Sequence, residues 1–268
     1  MNKHIFDKTT YQQRRGRLKQ RLGKGLVLLL GNEESSMNYR DNLYPFRQDS
    51  SFLYFFALDK PGLAGVIDID HDREMIYGRD LTMDEIVWTG PQPSLAEQAV
   101  AAGITEVLPA ASLSVDLASA HAAVRTIHFL PPYRPENMLK LSSWLGISPF
   151  LTKERASVPL IKAIVEQRSI KSEEEIVQIE EAVNITAAMH LAAIKGVRDG
   201  MTEAQLAGGL QGIAIAGGGN LAFPTILTVD GQVLHNHYGP TVMKEGRIAI
   251  CDSGAENAMH YAGDMSRT

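Results

Sequence analysis

Asp252 and Asp264 lie equally far along the chain from Ala258. Residues 248–251 read as a short apolar strand that ends at Asp252, and residues 261–264 read as a returning segment, with 254–260 as a wide hairpin loop between them. A hairpin centred on Ala258 brings the two carboxylates opposite each other across a strand pair. Facing carboxylates repel unless one is protonated or a cation sits between them. A divalent ion relieves the repulsion, and oxygen donors suit a hard ion such as Mn²⁺ or Mg²⁺. The same spacing also fits an acidic hairpin with both side chains in water. Upstream, His235 and His237 form an i, i+2 pair in LHNHY, which on a strand projects to one face. Such histidines are either polar residues at a strand end or, beside a metal site, donors to a developing oxyanion or proton carriers.

Two kinds of texture precede these residues. Up to about residue 165, strands alternate with helices: 26–30, 52–57, 65–69, 74–77 and 126–130 read as strands, and 83–87, 94–102 and 136–144 as helices. That alternation predicts an α/β domain over 1–165. The basic run from Arg14 to Lys24 reads as the solvated face of an N-terminal helix. Ser172 and Glu175 then form a capping box that opens a long helix through Gly196, with Ile176, Ile179, Val183, Ala187, His190, Leu191 and Ile194 as its apolar stripe. Thr202, with Gln205 at N3, opens a second helix, which the flexible turn Gly217-Gly218-Gly219 ends.

Composition narrows the function classes. The chain has 268 residues, 44% hydrophobic and 21% charged, which is globular and sufficient for a core. A net charge of −5 argues against nucleic acid or an anionic membrane as the main partner. One cysteine, Cys251, excludes an intrachain disulfide and a cysteine-based zinc cage. No stretch approaches the ~18 consecutive apolar residues of a membrane span, and no secretory core precedes the first helix, so a cytoplasmic protein is expected.

The stretch DSGAENAMHYAGDMSRT resembles the D-x-G-A-E…Y-A-G-D-x-T-R-T signature of the pita-bread metallopeptidases, and HNHYGP resembles the His-Tyr segment preceding it. FRQDSSFLYFFAL is similar to the R-x-x-S-x-F-x-Y stretch of aminopeptidase P N-terminal domains, and VWTGPQPS and RSIKSEEEI also recur there. The motifs stand in the family's order along essentially the whole chain. The resemblance implies an N-terminal creatinase/aminopeptidase P-like α/β domain over 1–165, followed over 166–268 by the first part of a pita-bread α+β catalytic domain.

The implied activity is that of a Xaa-Pro aminopeptidase, acting on peptides with proline at the second position, with two divalent ions, expected to be Mn²⁺, and a homo-oligomeric assembly. By the same resemblance, Asp252 binds one ion, Asp264 bridges both, and His237 supports the tetrahedral intermediate. The interval between the aspartates is one residue longer than the commonest form of the signature, and Ser266 stands in place of the usual Thr. The family's other ligands, a His and two Glu, lie beyond the motifs present, so the expectation is an N-terminal portion of the enzyme, inactive alone. Xaa-Pro dipeptidase and a non-catalytic peptide-binding or assembly module are the alternatives. Creatinase, whose reaction needs no metal, fits less well with both aspartates present.

Overall fold

The computed structural model describes residues 5–268. It divides into two compact units, Phe6–Ile170 and Lys171–Thr268.

In the first unit, α1 (Lys8–Leu22) starts where the Asp7 side chain accepts from Thr9 N, and leads through Gly23 into β1 (Leu26–Leu30). α2 (Ser50–Phe56), β2 (Ala64–Asp68), β3 (Arg73–Gly78), α3 (Met83–Thr89) and α4 (Leu95–Ala101) follow. The unit is completed by β4 (Glu106–Pro109), α5 (Leu113–Ala122), β5 (Ile127–Phe129), α6 (Pro135–Leu145) and α7 (Val158–Ser169). The five strands form one mixed sheet in the order β4-β3-β2-β1-β5. β1 lies inside the sheet, antiparallel to β2 and parallel to the edge strand β5. Its run of Leu and Val is apolar at every position because both faces are covered. Val27 and Leu29 pack with the aromatics of α2 and with α4 and α7, while Leu26 and Leu28 pack with α5, α6 and Phe129.

The break between the units falls after Ile170 rather than after residue 165. α7 runs across the expected boundary, and its Leu160, Ala163 and Ile164 belong to the first unit's core. The stretch 52–57 is a helix rather than the expected strand. Asp49 Oδ1 accepts from Ser51 N and Phe52 N to start it, and Ala57 in a left-handed conformation ends it. Because Phe52, Tyr54, Phe55 and Phe56 are all buried, the segment carries no periodicity to separate the two states. β4 and α5 had no counterpart in the sequence reading. The basic face of α1 is also not wholly solvated. Arg15 is fully buried, donating to Glu74 Oε2 (2.6 Å) and to the carbonyls of Phe55 (2.7 Å) and Ala102 (2.9 Å). Arg14 is buried over the Tyr54 ring, 3.9 Å from its centroid. A planar guanidinium with five donors can satisfy several carbonyls at once and stack on an aromatic face, which makes such burial tolerable.

The second unit comprises α8 (Glu173–Gly196), α9 (Glu203–Ala216), β6 (Ile226–Val229), β7 (Ala249–Ser253) and β8 (Met265–Arg267). Both expected capping boxes form, Ser172 with Glu175 and Thr202 with Gln205, and Gly217 caps α9. The strands make an antiparallel sheet in the order β6-β7-β8. One face packs on the helices, with Leu227, Cys251 and Ala255 against Met189, Ala193, Leu206, Leu210 and Ala214. The buried stripe of α8 is displaced from the one its large apolar residues predict. Glu175, Ala182, Thr186, Met189, His190 and Ala193 are buried, whereas Ile176, Val183, Leu191 and Ile194 are exposed. Around Ala182 and Thr186 the backbone of Ala255 and Gly263 approaches the helix and leaves room only for small side chains, while Met189 and Ala193 meet side chains. Among the described residues, no helix is long and apolar enough to cross a membrane.

Candidate functional site

The three strands of the second unit set out a row of residues on the sheet face away from the helices. Ile226 pairs with Asp252, Asp252 with Ser266, and on the other side of β6 Ile226 makes an isolated bridge to His237. Residues directly opposite in a sheet share a face, so His237, Ile226, Asp252 and Ser266 form one transverse row. His237 and Asp252 are thus two strand spacings apart, roughly 10 Å at ~4.8 Å per strand. Two residues from Ser266, Asp264 lies on the same face.

Asp252 and Asp264 are diagonal neighbours rather than a directly opposed pair. Glu256 bridges Ala262 and Gly263 N donates to Ala255 O, a register in which Gly254 stands across from Asp264. The shift originates in the turn. Asn257 N donates to Tyr261 O and His260 N to Asn257 O, enclosing a three-residue loop of Ala258, Met259 and His260, with His260 at φ 62°. This centres the hairpin on Met259. A loop of this length with a left-handed third residue is a common hairpin connection. The Asn257 side chain stabilises it by accepting from Met259 N and Tyr261 N. The diagonal relation keeps both carboxylates on one face at about 7–8 Å between Cα atoms.

Their environments differ. Asp252 is half-buried, and its Oδ1 is buried without a hydrogen-bond partner; Asp264 is exposed. A buried carboxylate oxygen with no donor is costly unless a cation meets it. Thr228, two residues along β6 from Ile226 and therefore on the same face, also has a buried hydroxyl without a partner. No feature of the sequence singled out Thr228. The orphaned oxygen, the second carboxylate beside it and the all-oxygen donor set fit a hard divalent ion. Among the described residues, no group of three or more His, Cys, Asp or Glu side chains is arranged to hold a metal ion.

His235 and His237 do not share a strand. His235 sits in a turn and only His237 bridges β6; both are exposed. What holds His237 in place is Glu203 at the first turn of α9, which sequence reasoning missed. Its carboxylate is buried and accepts from Val229 N (2.8 Å) and from Gly239 N (2.9 Å), tying the end of β6 to the His237 segment. The helix N-terminus favours a negative charge there. Gly239 O accepts from Ala204 N, and Thr241 O from Glu203 N, continuing the attachment. Gly219, read as part of a flexible turn, instead permits a close approach: a Cβ there would stand 2.0 Å from Glu256 O.

Sequence and structure comparisons show which proteins the chain is similar to. Residues 11–128 match the aminopeptidase P N-terminal domain family, and residues 177–268 match metallopeptidase family M24. The chain is 27% identical over 249 residues to a probable Xaa-Pro aminopeptidase of Chaetomium globosum, covering 91% of this chain and 40% of that protein. It is 25% identical over 271 residues to the Xaa-Pro aminopeptidase of Escherichia coli, covering 96% of this chain and 61% of the relative. The fold superposes on Pseudomonas aeruginosa aminopeptidase PepP with a TM-score of 0.81 at 20% identity, covering 98% of this chain and 62% of that one. The chain therefore spans less than two thirds of the length of these relatives. It carries an aminopeptidase P N-terminal domain followed by a stretch of metallopeptidase family M24.

Proposed function

We propose that this protein is a metal-dependent Xaa-Pro aminopeptidase, releasing the N-terminal residue of peptides with proline in second position, and that Asp252 and Asp264 are its metal ligands within this chain. The observation that carries the proposal is the buried, partnerless Oδ1 of Asp252 on the same sheet face as Asp264. Similarity to the Xaa-Pro aminopeptidase of Escherichia coli and to a probable one of Chaetomium globosum supports the substrate class.

A pair of divalent ions, Mn²⁺ in this reading, supplies Lewis acidity toward the scissile carbonyl and toward water. Asp252 and Asp264 hold that charge in place, and their own repulsion falls as they do so. His237, in the same transverse row, donates a hydrogen bond to the oxyanion as it develops, an interaction that strengthens in the transition state. Glu203 keeps the His237 segment against β6. With two carboxylate ligands of its own, the 268-residue chain leaves most of the coordination shell to water and hydrolyses little by itself. The reading places the enzyme in the cytoplasm as a homo-oligomer.

Mn²⁺ titration of this chain, followed by paramagnetic broadening of backbone amide resonances, tests the proposal. Broadening should centre on Asp252 and Asp264 and disappear in Asp252→Asn, while an assay on a Xaa-Pro peptide with Mn²⁺ shows no turnover. Equal broadening in the chain and in Asp252→Asn would overturn the metal assignment. Turnover by a preparation free of other peptidases would overturn the expected inactivity.

A further inference from the structure

The residues that follow Asp252 and precede Asp264 both rest on α8. Ser253 is fully buried on the face opposite Asp252, and its carbonyl lies 3.2 Å from His190 Nε2. The same Nε2 lies 3.3 Å from the Ser253 hydroxyl, and His190 Nδ1 is buried without a partner. One helical turn earlier, Thr186 is also fully buried. Its hydroxyl donates to Ala182 O (2.9 Å) in its own helix and accepts from Ala255 N (3.0 Å). Its Oγ1 also lies where a Cβ on Gly263 would come within 2.4 Å. One hydroxyl thus touches both arms of the hairpin, beyond Asp252 on one side and just before Asp264 on the other. The arms are joined to each other there, since Gly263 N donates to Ala255 O. A Cβ on Gly254 would stand 1.9 Å from Gly263 O, so the arms are as close as backbone can come.

We infer that Thr186 and His190, at i and i+4 on α8, are positioning residues that set how Asp252 and Asp264 are presented to divalent ions. The inference rests on the metal reading above. Neither side chain is on the ligand face, so both act through the arms of the hairpin: His190 through the carbonyl and hydroxyl of Ser253 and Thr186 through the Ala255 amide. This explains why α8 buries Thr and His here, where a helix on a sheet ordinarily buries Leu or Ile. Groups behind the ligands that fix their orientation typically contribute 10–100-fold to metal affinity.

The test uses this chain with Mn²⁺ alone as the probe. Thr186→Val keeps the shape and removes the hydroxyl; Thr186→Ser keeps the hydroxyl; Asp252→Asn reports the ligand itself. The readouts are the Mn²⁺ concentration that half-broadens the Asp252 and Asp264 amides, and hydrogen exchange at Ala255. Thr186→Val should raise that concentration about tenfold and speed exchange at Ala255, with the remaining spectrum unchanged. Thr186→Ser should restore both. A wild-type Mn²⁺ response in Thr186→Val, with Ala255 exchange accelerated and Asp252→Asn defective, would overturn the positioning role alone. A Thr186→Ser variant as weak as Thr186→Val would do the same, because packing rather than the hydroxyl would then matter. Indistinguishable wild type and Asp252→Asn would overturn the metal reading and this inference together. If the valine variant fails to fold, Thr186→Ala removes the same hydroxyl without added bulk and is judged by the same criteria.

Discussion

At the scale of single residues, the proposed function gives the two aspartates and His237 different tasks although they share one sheet face. In that proposal Asp264 would hold charge in the ground state, whereas His237 would contribute when an oxyanion develops. In Mn²⁺ titrations, Asp264→Ala should therefore abolish site-specific broadening and His237→Ala should leave it in place. Where hydrolysis is measurable, His237→Ala should lower kcat by about 10²–10³. Metal content measured beside steady-state kinetics checks both arms. Loss of metal by His237→Ala would make that histidine a ligand rather than an oxyanion donor. Cys251, next to Asp252, points the other way: it is buried against the helices, and burial pushes its thiol pKa up, so it packs as a small apolar residue.

At the scale of elements, the site is assembled by helices reaching into backbone. α8 holds the hairpin through Thr186 and His190, and also at its tip, where Tyr261 donates to Glu175 and Asn257 donates to Gln178 and Glu181. α9 holds the segment carrying His237 through the Glu203 carboxylate and through the backbone amides of Glu203 and Ala204. Glu203→Ala would leave two partly buried N–H groups unpaired and remove charge-assisted bonds worth about 1.5–3 kcal/mol each. The expected result is destabilisation of the second unit by about 3 kcal/mol or more, with exchange at Val229 and Gly239 accelerated first. Chemical denaturation with amide exchange checks this. A stability change within about 0.5 kcal/mol would show that other contacts hold the segment.

At the scale of the whole molecule, the two units are stabilised by different means. The first has a two-faced core around β1 and a charged cluster at the end of its sheet, where Arg125 donates to Asp68 and Asp70 and His71 pairs with Asp68. Burial alone would raise the Asp68 carboxyl, but the hydrogen bonds from Arg125 and His71 outweigh it and hold its pKa below the ordinary value. A depressed carboxylate contributes stability above its unfolded pKa of about 4 and loses it as pH falls through the folded value. The melting temperature of the first unit should therefore drop below about pH 4. Arg125→Ala should cost about 3 kcal/mol at neutral pH, since it leaves the largely buried Asp68 without its cation, and should flatten the acid dependence. An unchanged acid profile in Arg125→Ala would assign that dependence to other carboxylates.

What the sequence determined by itself was whatever local chemistry decides. The capping boxes at Ser172 and Thr202, the strand character of 26–30 and the Asp252 to Asp264 motif depend on neighbouring residues alone, and each is recognisable from a short stretch. The α/β alternation of the first unit follows from the same local patterning. Tertiary structure decided the rest. In residues 52–57, continuous apolarity suits a strand or a helix equally, and the Asp49 cap together with burial on every side selects the helix. The centre of the hairpin moved from Ala258 to Met259 because the Asn257 side chain and the left-handed His260 select a three-residue loop, and pairing register propagates from the turn. The buried face of α8 was hidden for a different reason. Hydrophobic periodicity reports which residues avoid water, whereas Thr186, His190 and Glu175 are inside because strand and loop atoms need partners that only those side chains, at those positions, can reach.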